Sequence, residues 1–303
     1  MLTARKGYFK QFQLFAAVCT VLASIVAIPA HAAEPTAAEY GTILNLSGRQ
    51  RMLTQKMSKE VLLVALDVDK AANIDNLKNT SALFDKTLKG LKDGDASVGL
   101  PATSSKRILR QLTKVEELWA DFYPTIQAIT SSGSASAEQI AEIAAKNLPL
   151  LKQMNKTVGA YEKAAAKGGL STDPGLAATI NLAGKQRMLT QKMSKEFLLI
   201  AYGQDAEANR LSLLETLTLF DRTLTGLFSG DATLGLPGNP SAGVKAQLDV
   251  VQGLWTSFKP IVEAGSATGS SIAAGQISQL ASSNLPLLRE MNKAVGMYEK
   301  ESS

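Results

Sequence analysis

The stretch GRQRMLTQKMSKE, Gly48 to Glu60, returns 136 residues later as GKQRMLTQKMSKE, Gly184 to Glu196, with Arg49 becoming Lys185 as the single change. On a helix, Leu46, Gln50, Leu53, Met57 and Val64 share one face and form an adequate core stripe. Arg51 belongs to another face. Its neighbours three and four residues away are Ser47, Gly48, Thr54 and Gln55, with Ser58 one turn on. The second copy surrounds Arg187 with Ala183, Gly184, Thr190, Gln191 and Ser194. Neither strip carries a carboxylate. A glycine inside a helix costs about 1 kcal/mol relative to alanine, so Gly48 and Gly184 point to close approach of a backbone or ligand. Arginine presents a planar fork of donors suited to an oxyanion or carboxylate. Arg49, Lys56, Lys59 and their counterparts read instead as an ordinary solvated basic face.

Outward from the motif the same offset holds. Phe84-Asp85 matches Phe220-Asp221, Gly94-Asp95 matches Gly230-Asp231, Leu100-Pro101 matches Leu236-Pro237, and Trp119 matches Trp255. After a one-residue insertion, NLPLLKQMNKTVGAYEK from Asn147 corresponds to NLPLLREMNKAVGMYEK from Asn284. A domain of roughly 125 residues has been duplicated in tandem. Residues 33–167 hold the first copy and 168–303 the second. They join at AAAKGGLSTDPG, where Gly168 and Gly169 stop one helix and Asp173-Pro174 starts the next.

The pattern within each copy is helical. Thr36 with Glu39 forms a capping box for a first helix running to about Lys70. A second helix places Leu77, Phe84, Leu88 and Leu91 on one stripe, with Leu217, Phe220, Leu224 and Leu227 in the other copy. A turn-rich DGDASVGLP segment leads to a third helix around Trp119 and Phe122. Ser136 with Gln139 caps a fourth, which Pro149, or Pro286 in the second copy, should kink. The fold class is therefore all-α: two tandem four-helix bundles.

Of the 303 residues, 45% are hydrophobic and 19% charged, which fits a globular chain. The first 32 residues read as an export signal: Arg5, Lys6 and Lys10 precede an apolar run from Leu14 to Ala30, and Ala30-His31-Ala32 is a small-residue cleavage site. An uncleaved anchor is the alternative. Cleavage would remove Cys19 and His31, the single cysteine and histidine. What remains has no thiolate nucleophile, imidazole base, disulfide, or imidazole or thiolate metal ligand. Removing three basic residues from 32 leaves 29 against 27 acidic ones, a net +2 that gives no argument for nucleic acid. No enzyme chemistry, metal or cofactor is expected. Ser58 has no base beside it, and the Asp93 and Asp95 spacing matches no EF-hand loop. The Trp, Phe and Met residues read as core.

NLSGRQRMLTQKMSKE and NLAGKQRMLTQKMSKE resemble the first-helix motif of the PilJ/NarX-like sensor domain. That domain occurs at the N-terminus of type IV pilus methyl-accepting transducers and in the periplasmic part of nitrate/nitrite sensor kinases. The resemblance covers both repeats. It implies a four-helix bundle and, in nitrate-sensing members, a nitrate held between two copies of the motif helix by an arginine three residues after the glycine. Carried to this chain, the binding arginines are Arg51 and Arg187, with Gly48 and Gly184 as the positions of close backbone approach. Their strip neighbours Thr54, Thr190, Gln55 and Gln191 complete the expected ligand-binding set. The duplication could build the interface within one chain, as an intramolecular pseudo-dimer, or the copies could pair between chains.

Such domains usually sit between two membrane helices and feed a signalling module. None follows here before Ser303, so a partner is expected to carry the signal. The leading expectation is a soluble periplasmic protein binding a small oxyanion, nitrate or nitrite first, and presenting its ligand state to a membrane receptor, kinase or transporter. The alternative is a structural or adaptor protein that pairs with a PilJ/NarX-type receptor or a pilus component and binds no small molecule.

Overall fold

Eight α-helices build residues 34–302, the part that the computed structural model describes. The export segment read at residues 1–32, with Cys19 and His31, lies outside the described residues. The helices are α1 (Ala37–Ala65), α2 (Lys70–Asp93), α3 (Lys106–Ser132), α4 (Ala137–Lys167), α5 (Pro174–Tyr202), α6 (Ala206–Ser229), α7 (Ala242–Ser266) and α8 (Ala274–Lys300). The described residues contain no strand, only two isolated bridges, Asp95 to Leu100 and Asp231 to Leu236, which close the connectors of the two copies.

The caps lie largely where the sequence puts them. Glu39 N donates to Thr36 Oγ1 at 3.2 Å while Thr36 N donates to Glu39 Oε2 at 2.8 Å. Ser136 and Gln139 repeat this box on α4, and Asp173 Oδ1 accepts Leu176 N at 3.0 Å at the start of α5. One boundary differs from the expectation. The first helix stops at Ala65, not near Lys70, because Asp67 and Asp69 adopt left-handed backbone at φ 56° and 42°. Asn73 Nδ2 holds the reversal by donating to Val68 O and Asp69 O. Pro149 and Pro286 lie inside α4 and α8, and Pro124 and Pro260 lie likewise inside α3 and α7.

Within each copy the first helix packs against the second and fourth, and the third against the second and fourth, the arrangement of an up-down bundle. The most extensive helix pairing among the described residues joins the copies: α1 lies along α5, and α1 also meets α8 while α5 meets α4. Phe84, Trp119 and Phe122 fill the first bundle and Phe220, Trp255 and Phe258 the second, and one apolar core runs through both. From Glu34 onward the chain is a single compact unit. The joint is close-fitting: a Cβ at Gly169 would stand 2.7 Å from Ala37 N, so only glycine lets the linker lie against the start of α1.

Candidate functional site

The central position of α1 and α5 changes what their polar residues can be. Each is covered by its own bundle on one side and by the other copy on the other, so most residues from Tyr40 to Val64 are buried, polar ones included. A buried polar group must find partners inside the protein. The motif residues find them in two layers.

The first layer is built on Gly48 and Gly184. The two helices run in register and in the same direction, and a Cβ at Gly48 would lie 3.9 Å from the Cα of Gly184. The same Cβ would stand 3.4 Å from Nη2 of Arg51 and 3.4 Å from Nη2 of Arg187. Both guanidinium tips therefore surround one point above the glycine pair. Arg51 and Arg187 are only 3% and 2% exposed.

Each arginine is held by its own fourth helix and by the opposite copy's first. Arg51 donates to Asn155 Oδ1 at 3.4 Å and to Asn181 O at 3.0 Å. Arg187 donates to Asn292 Oδ1 at 3.0 Å, Asn45 Oδ1 at 2.8 Å and Asn45 O at 3.0 Å. These acceptors are neutral. The nearest carboxylates stand behind the asparagines: Asn45 donates to Glu299 and Asn181 to Glu162, both at 2.6 Å. Nε of each arginine is buried without a partner among the described residues.

Charge accumulates accordingly. Burial pushes Arg51 down to about 10, partly offset by Glu162. Arg187 is pushed to about 9, by burial first and then by Arg49 and Arg51, with Glu299 opposing. Lys185 is lowered by burial and by Arg51, and Arg49 by burial. A guanidinium keeps its proton at physiological pH, so the burden remains as positive charge. Among the described residues none of these four cations forms an ion pair.

The second layer lies further along the same helices and gathers the remaining predicted residues. Gln55 donates to Asn147 Oδ1 and Gln191 to Asn284 Oδ1, each at 2.9 Å. Asn147 Nδ2 in turn donates to Thr54 O and Ser58 Oγ, and Asn284 Nδ2 to Thr190 O and Ser194 Oγ. Thr54, Gln55, Thr190 and Gln191 thus bond to this asparagine layer and to their own helix, whereas Gly48, Arg51, Gly184 and Arg187 converge.

The expectation of a solvated basic face fails here. Lys59 and Lys195 are 4% and 8% exposed and cross between the copies, Lys59 to Asn284 Oδ1 at 2.9 Å and Lys195 to Asn147 Oδ1 at 3.2 Å. Burial lowers both to about 8, opposed by the adjacent Glu60 and Glu196. Lys56 and Lys192 are only partly exposed and pair with Glu60 and Glu196. Lys56 and Lys192 are covered by the second helix of their own bundle, where they bond Thr80 and Thr216, whereas Lys59 and Lys195 are covered by the other copy.

Asn45, Asn181, Asn155, Asn292, Asn147, Asn284, Glu162 and Glu299 escaped the reading of one helix at a time. The usable signal was their recurrence in the NL, NLP, MNK and YEK elements of both copies.

A sequence family described as the type IV pili methyl-accepting chemotaxis transducer N-terminal region (PilJ) matches residues 37–145 and again 170–280. Methyl-accepting chemotaxis protein McpN of Pseudomonas aeruginosa is 28% identical over 119 residues, which make up 39% of this chain and 21% of that protein. The chain therefore spans about a fifth of that relative's length. No solved structure gives a significant match. The family is one of signal-transduction sensor domains, usually periplasmic, and not of enzymes. No helix among the described residues is long and apolar enough to cross a membrane. With both halves matched, and with each half folded as the same four helices around the same motif, the chain belongs to the PilJ family and carries its domain twice.

Proposed function

We propose that the protein is a periplasmic binding protein for one small planar oxyanion per chain, nitrate or nitrite first, clamped between Arg51 and Arg187. The observation that carries this reading is the convergence of two buried guanidinium tips over Gly48 and Gly184, with both Nε atoms unpartnered and no carboxylate in direct contact. Like charges brought together where water is excluded repel strongly, and an anion between them turns repulsion into two attractions. Each arginine donates to the asparagines through Nη1 and one N–H of Nη2, which leaves Nε–H and the second N–H of Nη2 as the fork for the anion. Ligand binding would tighten α1 against α5 and so alter how the repeats sit together. That change is what a membrane receptor, kinase or transporter would read, and the segment before Ala33 would carry the protein to that compartment. The McpN relative is named as a chemotaxis protein, which fits a partner of the signalling kind.

Isothermal titration of nitrate into wild type, Arg51→Ala and Arg187→Ala tests the clamp. One site per chain is expected, and either substitution should cost about 2 to 5 kcal/mol of binding, the scale for truncating one partner of a buried charge contact. Two independent sites per chain, or single variants that bind like wild type, would refute the shared clamp. No binding of any oxyanion would leave the adaptor role, pairing with a PilJ/NarX-type receptor or pilus component without a small molecule, as the better reading.

A further inference from the structure

Two related clefts lie between the copies, away from the arginine pair. One runs between α1–α2 and α8 and encloses about 760 Å³; its counterpart, between α5–α6 and α4, encloses about 420 Å³. The larger is lined by Lys59 and Glu60 together with apolar Leu63, Ile277 and Leu285. Leu285 is half-exposed, an apolar side chain left open to the cleft.

The charged pair in this cleft is incompletely bonded. Lys59 Nζ makes one hydrogen bond, to Asn284 Oδ1, and an ammonium has three donors. Glu60 Oε1 accepts Lys56 and Thr80, but Glu60 Oε2 is buried without a partner among the described residues. A buried carboxylate oxygen left unpaired is costly, and a ligand that brings both an acceptor for Lys59 and a donor for Glu60 would satisfy both. The smaller cleft lacks the second opportunity, because Glu196 Oε2 accepts Thr216 Oγ1 at 2.9 Å.

We infer that the cleft between α1–α2 and α8 is a second binding site, for an α-amino acid with an apolar side chain. Its carboxylate would meet Lys59 Nζ, its ammonium Glu60 Oε2, and its side chain Leu63, Ile277 and Leu285. Since Lys59 also bonds Asn284 of the other copy, an occupant here touches a contact that joins the repeats. The inference does not rest on the oxyanion reading.

Calorimetric titration of the full chain with L-leucine, 4-methylpentanoate and 3-methylbutylamine tests it; the last two each lack one charge. Saturable binding of L-leucine at one site per chain is expected, with each analogue at least about tenfold weaker, one good charged contact being worth more than the 1.4 kcal/mol that a factor of ten represents. Ala281→Phe, on the cleft wall, should abolish leucine binding while nitrate titration and helicity stay as in wild type. Glu60→Gln, which keeps the shape, should weaken leucine but not 4-methylpentanoate. No saturable binding of L-leucine, analogues that bind equally, or leucine binding that survives Ala281→Phe would overturn the assignment.

Discussion

The two copies share one fold but differ in a revealing way between their inner and outer faces. Along α1 and α5 the residues that meet across the pseudo-twofold are nearly the same, and their bonds are reciprocal: Asn45 serves Arg187 and Asn181 serves Arg51, Lys59 serves Asn284 and Lys195 serves Asn147. Outside, the match lapses. Where the first copy has Asp75 and Lys78, the second exposes Leu211 and Leu214, at 68% and 51%. In place of Ile74 the second copy has Arg210, which donates to Gly265 O and Ala267 O and fastens the end of α7. A side chain that packs against its own counterpart can change only if its partner tolerates the change; one that faces water is under no such constraint. Even the inner face is not fully symmetric, since Arg49 adds to the burden on Arg187. Within the bundles, Tyr161 is bonded to Thr103 Oγ1 and Leu91 O while Tyr298 Oη has no partner among the described residues.

The largest test of reciprocity is the asparagine layer. Asn284→Leu should cost about 3 to 5 kcal/mol of unfolding free energy, since it strips buried Lys59 of its acceptor and leaves Gln191, Ser194 and Thr190 O unserved. Asn147→Leu should cost a similar amount, because Lys195 depends on it in the same way. Urea unfolding of both variants measures this. If one is neutral and the other severe, the layer is not reciprocal.

The same lysines give a pH dependence. Lys59 and Lys195 sit at about 8 in the folded protein against 10.5 ordinarily, facing Lys56 and Glu60 or Lys192 and Glu196. Between those values the unfolded chain binds more protons, so stability should rise with pH from about 8 toward 10, by at most about 1.4 kcal/mol per pH unit for each lysine. Above about 10 the buried tyrosines Tyr40, Tyr161 and Tyr298, whose ionisation burial pushes up, work in the opposite direction, because the folded chain then holds more protons. Melting temperatures across pH 7 to 11 should therefore show a maximum. A monotonic fall from pH 8 would mean that the lysines are hydrated.

Smaller effects separate the copies more finely. Tyr161→Phe should cost about 1 to 1.5 kcal/mol through its lost hydrogen bonds, whereas Tyr298→Phe should be close to neutral. Equal losses in denaturant unfolding would show that Tyr298 does find a partner. Gly48→Ala should add up to about 1 kcal/mol of helix stability and yet weaken nitrate binding, because its Cβ occupies the point that the arginines surround. Gly184→Ala should gain less, its Cβ standing 3.2 Å from Arg187 Nη2. Paired melting and titration of the two variants reads this difference; nitrate binding unchanged in both would move the anion away from the glycines.

Much of the fold was legible because it is local. Capping at Thr36, Ser136 and Asp173, the apolar stripes, and the glycines at the joint are set by backbone geometry and helical period, and the duplication appears as literal repetition. The early end of α1 was missed because two left-handed aspartates, Asp67 and Asp69, leave no mark that an acidic turn does not also leave. The arginine and glycine positions were marked by an odd composition: a helical glycine and a cation with no carboxylate near it in sequence.

What a sequence of this kind determines by itself is which side chains each helix offers on each face. It does not say what will cover them. Lys59 reads as a solvent-facing lysine on any isolated bundle, and it is buried because a second bundle lies against that face. Arg51 lacks a counter-ion on its own helix; Glu162, on α4, acts on it through space, and Asn181 of the other copy bonds to both. Helix and period are decided over a few residues, whereas burial, and with it the cost of a charge and the strength of its contacts, depends on everything packed around it. That environment exists only once α1 lies along α5.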